Sequence, residues 1–215
     1  MQVCWVSLLA GWWIDPSLVE QNRLPMKSNL ERTSSASHLA WLDLEMTGLD
    51  PESDVILQAA LIVTDAELNP LEEFVCDIWQ PESCLAGMTP FVREMHEKTG
   101  LVARVRSSTI DVRNAEKRLL QRVAGWCDYP ALLCGNTIGQ DRKFLDRYMP
   151  GLAGYLHYRM LDVTSLKLLA GLWYGEAATF EKPAAGAHDA LVDIKNSIGE
   201  LAHYRSALFK PRSSG

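Results

Sequence analysis

The chain has 215 residues, enough for one domain with a sizeable core, and its apolar (47%) and charged (22%) fractions are those of a soluble protein. A net charge of -6 excludes binding of long duplex nucleic acid through a basic surface field, though not of a short oligonucleotide held by ions and local contacts. The five cysteines, Cys4, Cys76, Cys84, Cys127 and Cys134, are odd in number and match no zinc spacing, which points to reduced thiols in a cytoplasmic compartment.

Residues 1–25 carry Trp5, Trp12 and Trp13 and no Lys or Arg before Arg23. The apolar run over 3–14 lacks the positive flank of a secretory signal and is too short to span a bilayer, so no membrane association is expected. With the Ser-rich stretch up to His38 it reads as an N-terminal extension, residues 1–38, ahead of a natural start at Met26; a membrane-surface or partner-binding segment is the rival reading.

The folded domain is expected over 39–209, followed by a tail over 210–215. Strands are predicted at 39–45, 55–64 and 71–78, joined by short turns as an antiparallel meander. Thr89-Pro90 starts a helix that runs to about Thr99 and stops at Gly100. A second helix, 112–126, sets Ala115, Leu119, Val123 and Trp126 on one face as core. A short strand at 131–134, a helix at 140–148, helical residues at 152–155, an extended segment at 160–163 and helices at 165–172 and 188–207 complete the pattern. The alternation gives an α/β design with a mixed central sheet flanked by helices.

The chemistry lies in the carboxylates. Asp43 and Glu45 stand two apart on the first strand, so they share a face opposite Leu42 and Leu44. Two like charges on one face repel, and a divalent cation, which takes several oxygen ligands, would compensate them. Asp141, at a strand-to-helix junction, and Asp193, on the last helix, add carboxylates from separate elements. Four convergent carboxylates suit a pair of divalent cations, Mg²⁺ or Mn²⁺, that clamp a phosphate and orient an attacking water. His188, at the start of the last helix, is the natural general base for that water.

These segments are similar to a known family. Asp43-Leu44-Glu45-Met46-Thr47-Gly48-Leu49, Gly135-Asn136-Thr137-Ile138-Gly139-Gln140-Asp141, His188 through Asp193, and His157-Tyr158-Arg159 followed by Leu161-Asp162-Val163 resemble the oligoribonucleases. These are 3'-to-5' exoribonucleases of the DEDDh group, with a ribonuclease H-like fold. The resemblance implies metal ligation by Asp43, Glu45, Asp141 and Asp193 and base catalysis by His188. It implies a homodimer in which Tyr158 and Arg159 lie near the partner's active site. Its implied substrate is a short single-stranded RNA with a 5'-phosphate, two to about five nucleotides long, cleaved to nucleoside 5'-monophosphates.

The resemblance further implies that Leu49 and Phe91 flank the bases, Phe91 standing where the family has tryptophan, and that Thr137 replaces a serine associated with the 5'-phosphate. Thr164-Ser165 stands where Ser-Thr is usual, and Lys167 is retained. Gln58, Leu169, Gly171 and Val192 are further departures. Independently of the family, Arg159 and Lys167 suit a cap on a terminal phosphate, which would exclude longer strands. Two alternatives stand beside this reading: a DNA-trimming or proofreading 3'-exonuclease of the same fold, and an inactive nuclease-like dimeric binding module.

Overall fold

A computed structural model describes residues 38–175, 179–181 and 189–210. The extension with its start at Met26, most of the tail, and His188 lie outside the described residues. Five strands form one mixed sheet in the order β3-β2-β1-β4-β5. They are β1 (Leu39–Met46), β2 (Ile56–Thr64), β3 (Pro70–Asp77), β4 (Ala131–Gly135) and β5 (Leu156–Asp162). The first three make the expected antiparallel meander, and β4 and β5 run parallel to β1.

The alternation read in β1 decides what covers each face of the sheet. Ala40, Leu42 and Leu44 point into a cluster with Ala115, Leu119 and Val123 of α4 (Val112–Trp126) and Phe144 and Leu145 of α5 (Gly139–Tyr148). Trp41 points the other way, into a second cluster with Val163 and Ala170 of α7 (Val163–Tyr174) and Ile194 and Tyr204 of α8 (Ala190–Leu208). Every residue of β2 is buried, as expected of a strand covered on both faces.

The sheet register shifts between Glu45 and Met46: Glu45 pairs with Gln58 but Met46 with Ile56, which leaves Leu57 as the extra residue. Leu57 is buried in a third cluster with Leu85, Leu101, Val102 and Val105. Bulges of this kind re-aim side chains beside functional sites.

That third cluster draws on two elements that the sequence pattern does not predict. Two short helices, α1 (Glu82–Ala86) and α3 (Leu101–Ser107), stand on either side of α2 (Pro90–Lys98). Gly100 does end α2, but at φ 72° it turns the chain directly into α3. α6 (Pro150–Tyr155) is as expected, whereas β5 begins at Leu156 rather than 160, because His157, Tyr158 and Arg159 are strand residues on an exposed sheet edge. Among the described residues no helix is long and apolar enough to cross a membrane.

Candidate active site

Asp43 and Glu45 leave β1 on the face that carries Trp41, near the strand's end. Asp193 comes from the first turn of α8, which is held by its N-cap: the Asp189 carboxylate accepts from the N–H groups of Leu191 and Val192. Asp43, Glu45 and Asp193 each offer an oxygen, and these oxygens lie within 4.8 Å of one another. Such a set of hard oxygen donors, one buried and two half-buried, fits a divalent cation.

Asp141 reaches the same strand from the opposite layer. β4 pairs with β1 only as far as Trp41, so the N–H of Leu44 has no strand partner on that side. Asp141 supplies one, accepting from Leu44 N–H through Oδ1 at 2.9 Å. The approach of the two elements depends on Gly135, where a Cβ would stand 3.1 Å from the Leu42 carbonyl and 2.8 Å from Ile138. Asp141 is thus not one of the group of three but sits behind it, joined by one residue of β1.

The electrostatics follow from this crowding. Burial raises the Glu45 carboxyl from 4.5 to about 7, and the nearby charges of Asp193, Asp141 and Asp189 push the same way. Burial likewise raises Asp141 to about 7, against the lowering effect of its hydrogen bond from Leu44. Glu45 and Asp141 are thereby biased toward holding their protons, a bias that a bound cation would oppose.

Beneath the cluster lies a residue that sequence reasoning missed. His96 of α2 is fully buried, with Nε2 2.9 Å from the Met46 carbonyl and Nδ1 3.9 Å from Glu45 Oε2. A carbonyl only accepts, so Nε2 carries the proton in that contact.

The residues expected on the substrate side fall into three groups. Thr137 and Thr164 meet beside α7: their hydroxyls are 3.2 Å apart, and the N–H of Thr137 donates to Thr164 Oγ1 at 2.9 Å and to Asp162 Oδ1 at 3.0 Å. Lys167, one turn further along α7, has its Nζ 3.7 Å from Glu200 Oε1. Leu49 and Phe91 are instead surface side chains, 74% and 75% exposed. The backbone under Leu49 is nonetheless fixed, because Asp54 caps the turn by accepting from Thr47 Oγ1 and Asp50 N–H, while Gln140 donates to the Leu49 carbonyl.

Tyr158 and Arg159 are not brought to the carboxylates of their own chain. Leu161 stands level with Cys134, and Cys134 with Trp41, across the sheet. Arg159 is therefore four residues short of the level of Asp43, about 13 Å along the strands, and two strands across. Its guanidinium lies over the Tyr158 ring, 5.0 Å from the centroid, and Tyr158 is 72% exposed.

Gln58 also acquires a reason. Its amide donates to Asp77 at 2.7 Å while its carbonyl oxygen accepts from Ala190 N–H, which ties β2 and β3 to the start of α8. A carboxylate at 58 would face Asp77 with like charge.

Residues 40–201 match the RNase_T exonuclease family. The chain is 49% identical to the oligoribonuclease of Ectopseudomonas mendocina (strain ymp), over 81% of this chain and 97% of the relative. It is 47% identical to that of Azoarcus sp. (strain BH72), over 79% and 93%. Among solved structures, E. coli exonuclease I in complex with a 5cy-dT13 oligonucleotide matches with a TM-score of 0.66 at 16% identity, over 81% of this chain and 42% of that one. An exonuclease I from Methylocaldum szegediense matches with a TM-score of 0.55 at 21% identity, over 80% and 41%. The chain thus spans about two fifths of those exonuclease I chains, which share its fold, but nearly the whole of the oligoribonucleases. It belongs to the oligoribonuclease family of exonucleases.

Proposed function

We propose that this metal-dependent exonuclease removes nucleotides from the 3' end of very short RNAs, two to about five residues long, and releases nucleoside 5'-monophosphates. The observation that carries the reading is the meeting of Asp43, Glu45 and Asp193 within 4.8 Å, backed by Asp141, which bonds to the strand that carries Asp43 and Glu45. Asp43, Glu45, Asp141 and Asp193 would hold two divalent cations, Mg²⁺ or Mn²⁺. Bound there, the ions supply charge neutralisation at the scissile phosphate and a more acidic water.

The chain's own groups do the rest. His188 takes the proton from water as it attacks phosphorus and the bond to the leaving 3'-oxygen breaks. The exposed faces of Leu49 and Phe91 take the bases by apolar contact and stacking, which tolerates any sequence. Thr137, Thr164 and Lys167 bind the terminal phosphate. A ligand gripped at both ends must be short, and the acidic surface offers longer strands no compensating attraction. The buried, unbridged Cys76, Cys127 and Cys134 support a reducing, cytoplasmic compartment.

The protein works as a homodimer in this reading, with Tyr158 and Arg159 serving the partner's site. Their distance from the carboxylates of their own chain supports it. So does the apolar exposure beside them: Met160 on the edge strand, and Leu168, Leu172 and Trp173 on α7.

A 5'-labelled dinucleotide and a long single strand, each with Mn²⁺ or with chelator, test the substrate. Rapid, metal-dependent loss of the dinucleotide is expected. Preferential shortening of the long strand, of DNA above all, would move the assignment to a trimming exonuclease, and binding without turnover would leave a binding module. For the shared site, mixed dimers of Arg159→Ala and Asp141→Ala subunits should recover part of the activity that each homodimer lacks. Verified mixed dimers with none would refute it.

A further inference from the structure

One face of α8 carries more than the metal site. Asp193, Ser197 and Glu200 are spaced by four and then three residues, so they line a single stripe. The lower end of that stripe is a fully buried carboxylate, Glu200, to which no role has been given above. Its Oε2 accepts from Asn136 Nδ2 at 3.0 Å, and its Oε1 accepts from the Tyr204 hydroxyl at 3.0 Å, with Lys167 Nζ 3.7 Å away. Asn136 Nδ2 also donates to Ser197 Oγ at 3.0 Å, and its Oδ1 accepts from the Thr164 hydroxyl at 3.3 Å. Both ends of the Asn136 amide are thereby fixed.

The residue after Asn136 explains why such a fixture is needed. Thr137 has φ 51°, the left-handed region that a β-branched residue seldom enters. A backbone in such a state persists only when its surroundings over-determine it. Here Asp162 and Thr164 hold its N–H from one side, and Asn136, clamped to α8, fixes the chain from the other.

We propose that Glu200 is a positioning residue for the terminal-phosphate end of the site. Through Asn136 it sets Thr137 and Thr164, and by direct pairing it sets Lys167, so that two hydroxyls and one ammonium face a single phosphate. Glu200 does not touch the ligand. Because the same face of α8 bears Asp193, the distance from the metal cluster to the phosphate end is fixed within one helix, and this distance sets the length of substrate that is gripped at both ends. The inference rests on the assignment of Thr137 and Thr164 to the terminal phosphate.

The test compares kcat and KM for a 5'-phosphorylated and a 5'-hydroxyl dinucleotide in the full-length protein. Wild type and Thr137→Val establish the assignment: a preference for the phosphorylated substrate, lost in T137V. Glu200→Leu, which offers Asn136 no acceptor, should reduce that preference about tenfold, mainly through KM, with turnover of the 5'-hydroxyl substrate little changed. Glu200→Gln should retain most of the preference, because its carbonyl oxygen still accepts from Asn136 while its amide donates to the Tyr204 hydroxyl. Asn136→Ala should match Glu200→Leu, and the two together should cost no more than either alone.

Equal losses on both substrates, or additive losses in the double variant, would overturn the role of Glu200. A preference lost in T137V but intact in E200L or N136A would overturn it while leaving the assignment standing. A wild type without preference overturns both. Should Glu200→Leu fail to fold, Asn136→Ala and Glu200→Gln carry the same comparison, and an unchanged preference in Asn136→Ala refutes the proposal.

Discussion

The floor of the site and its rim are built on opposite principles. Asp43, Glu45, Asp141 and Asp193 come from one strand and the first turns of two helices, and Glu45 and Asp141 are only 8% and 6% exposed. Leu49 and Phe91, the rim in the proposed reading, are more than two thirds exposed. The floor must exist before any ligand arrives, because mutually repelling carboxylates converge only where packing forces them together. The rim is completed by what binds. Substitutions in the floor should therefore abolish chemistry, whereas those in the rim should weaken binding and leave turnover intact.

The largest expected effect is at Asp141. Asp141→Ala should lower turnover of a dinucleotide at least about a hundredfold while the thermal midpoint changes by no more than a few degrees, since the buried carboxyl is itself a burden on the metal-free fold. Asp141→Asn separates its two tasks. The amide oxygen still accepts from Leu44 N–H, so the strand is held, but a ligand charge is gone. Turnover near wild type in Asp141→Asn would mean that Asp141 serves the strand rather than an ion.

The second effect is on stability. Glu45 binds its proton up to about 7 in the fold but only up to its ordinary 4.5 when unfolded. Between those values the native state holds more protons, so the metal-free protein loses stability as pH rises from about 4.5 to about 7. Divalent ions need the deprotonated carboxylates, so their stabilisation grows over the same rise. At about a hundred times its dissociation constant, Mn²⁺ should raise the midpoint by roughly 5–10 °C at pH 8 and by much less at pH 5.5. An equal shift at both pH values, or none, would contradict a carboxylate ion site.

How much of this division the sequence announces depends on the range of the interactions. Asp43 and Glu45 are legible because strand alternation is local, and Asp141 because a glycine-rich turn precedes its helix. His96 is invisible: its place under Glu45 depends on how α2 packs against the end of β1, which no local pattern encodes. Glu200 did leave a signal. Ser197 and Glu200 interrupt the buried stripe formed by Ala190, Ile194 and Tyr204, and a polar residue at a core position calls for a partner. The helices at 82–86 and 101–107 are too short to show a period, and the left-handed backbone of Thr137 contradicts what a β-branched residue suggests. The exposed start of β5 carries no strand signal because an edge strand needs few apolar residues.

The smallest effect tests the rim. Phe91 lies at the first turn of α2, behind a Thr89 cap whose hydroxyl accepts from Val92 N–H, so its backbone is anchored while its ring is surrounded by solvent. Among the described residues nothing packs on that ring tightly enough to make it structural, and its loss should be felt only when a base stacks there. Phe91→Ala should raise KM for a dinucleotide about tenfold with kcat unchanged, whereas Phe91→Trp, offering a larger face, should lower KM by no more than a few fold. Both substitutions keep the helix start, so thermal midpoints should coincide with wild type. If Phe91→Ala lowered kcat as severely as Asp141→Ala, the separation of floor from rim would fail, because an exposed ring would then be acting on the reacting atoms themselves.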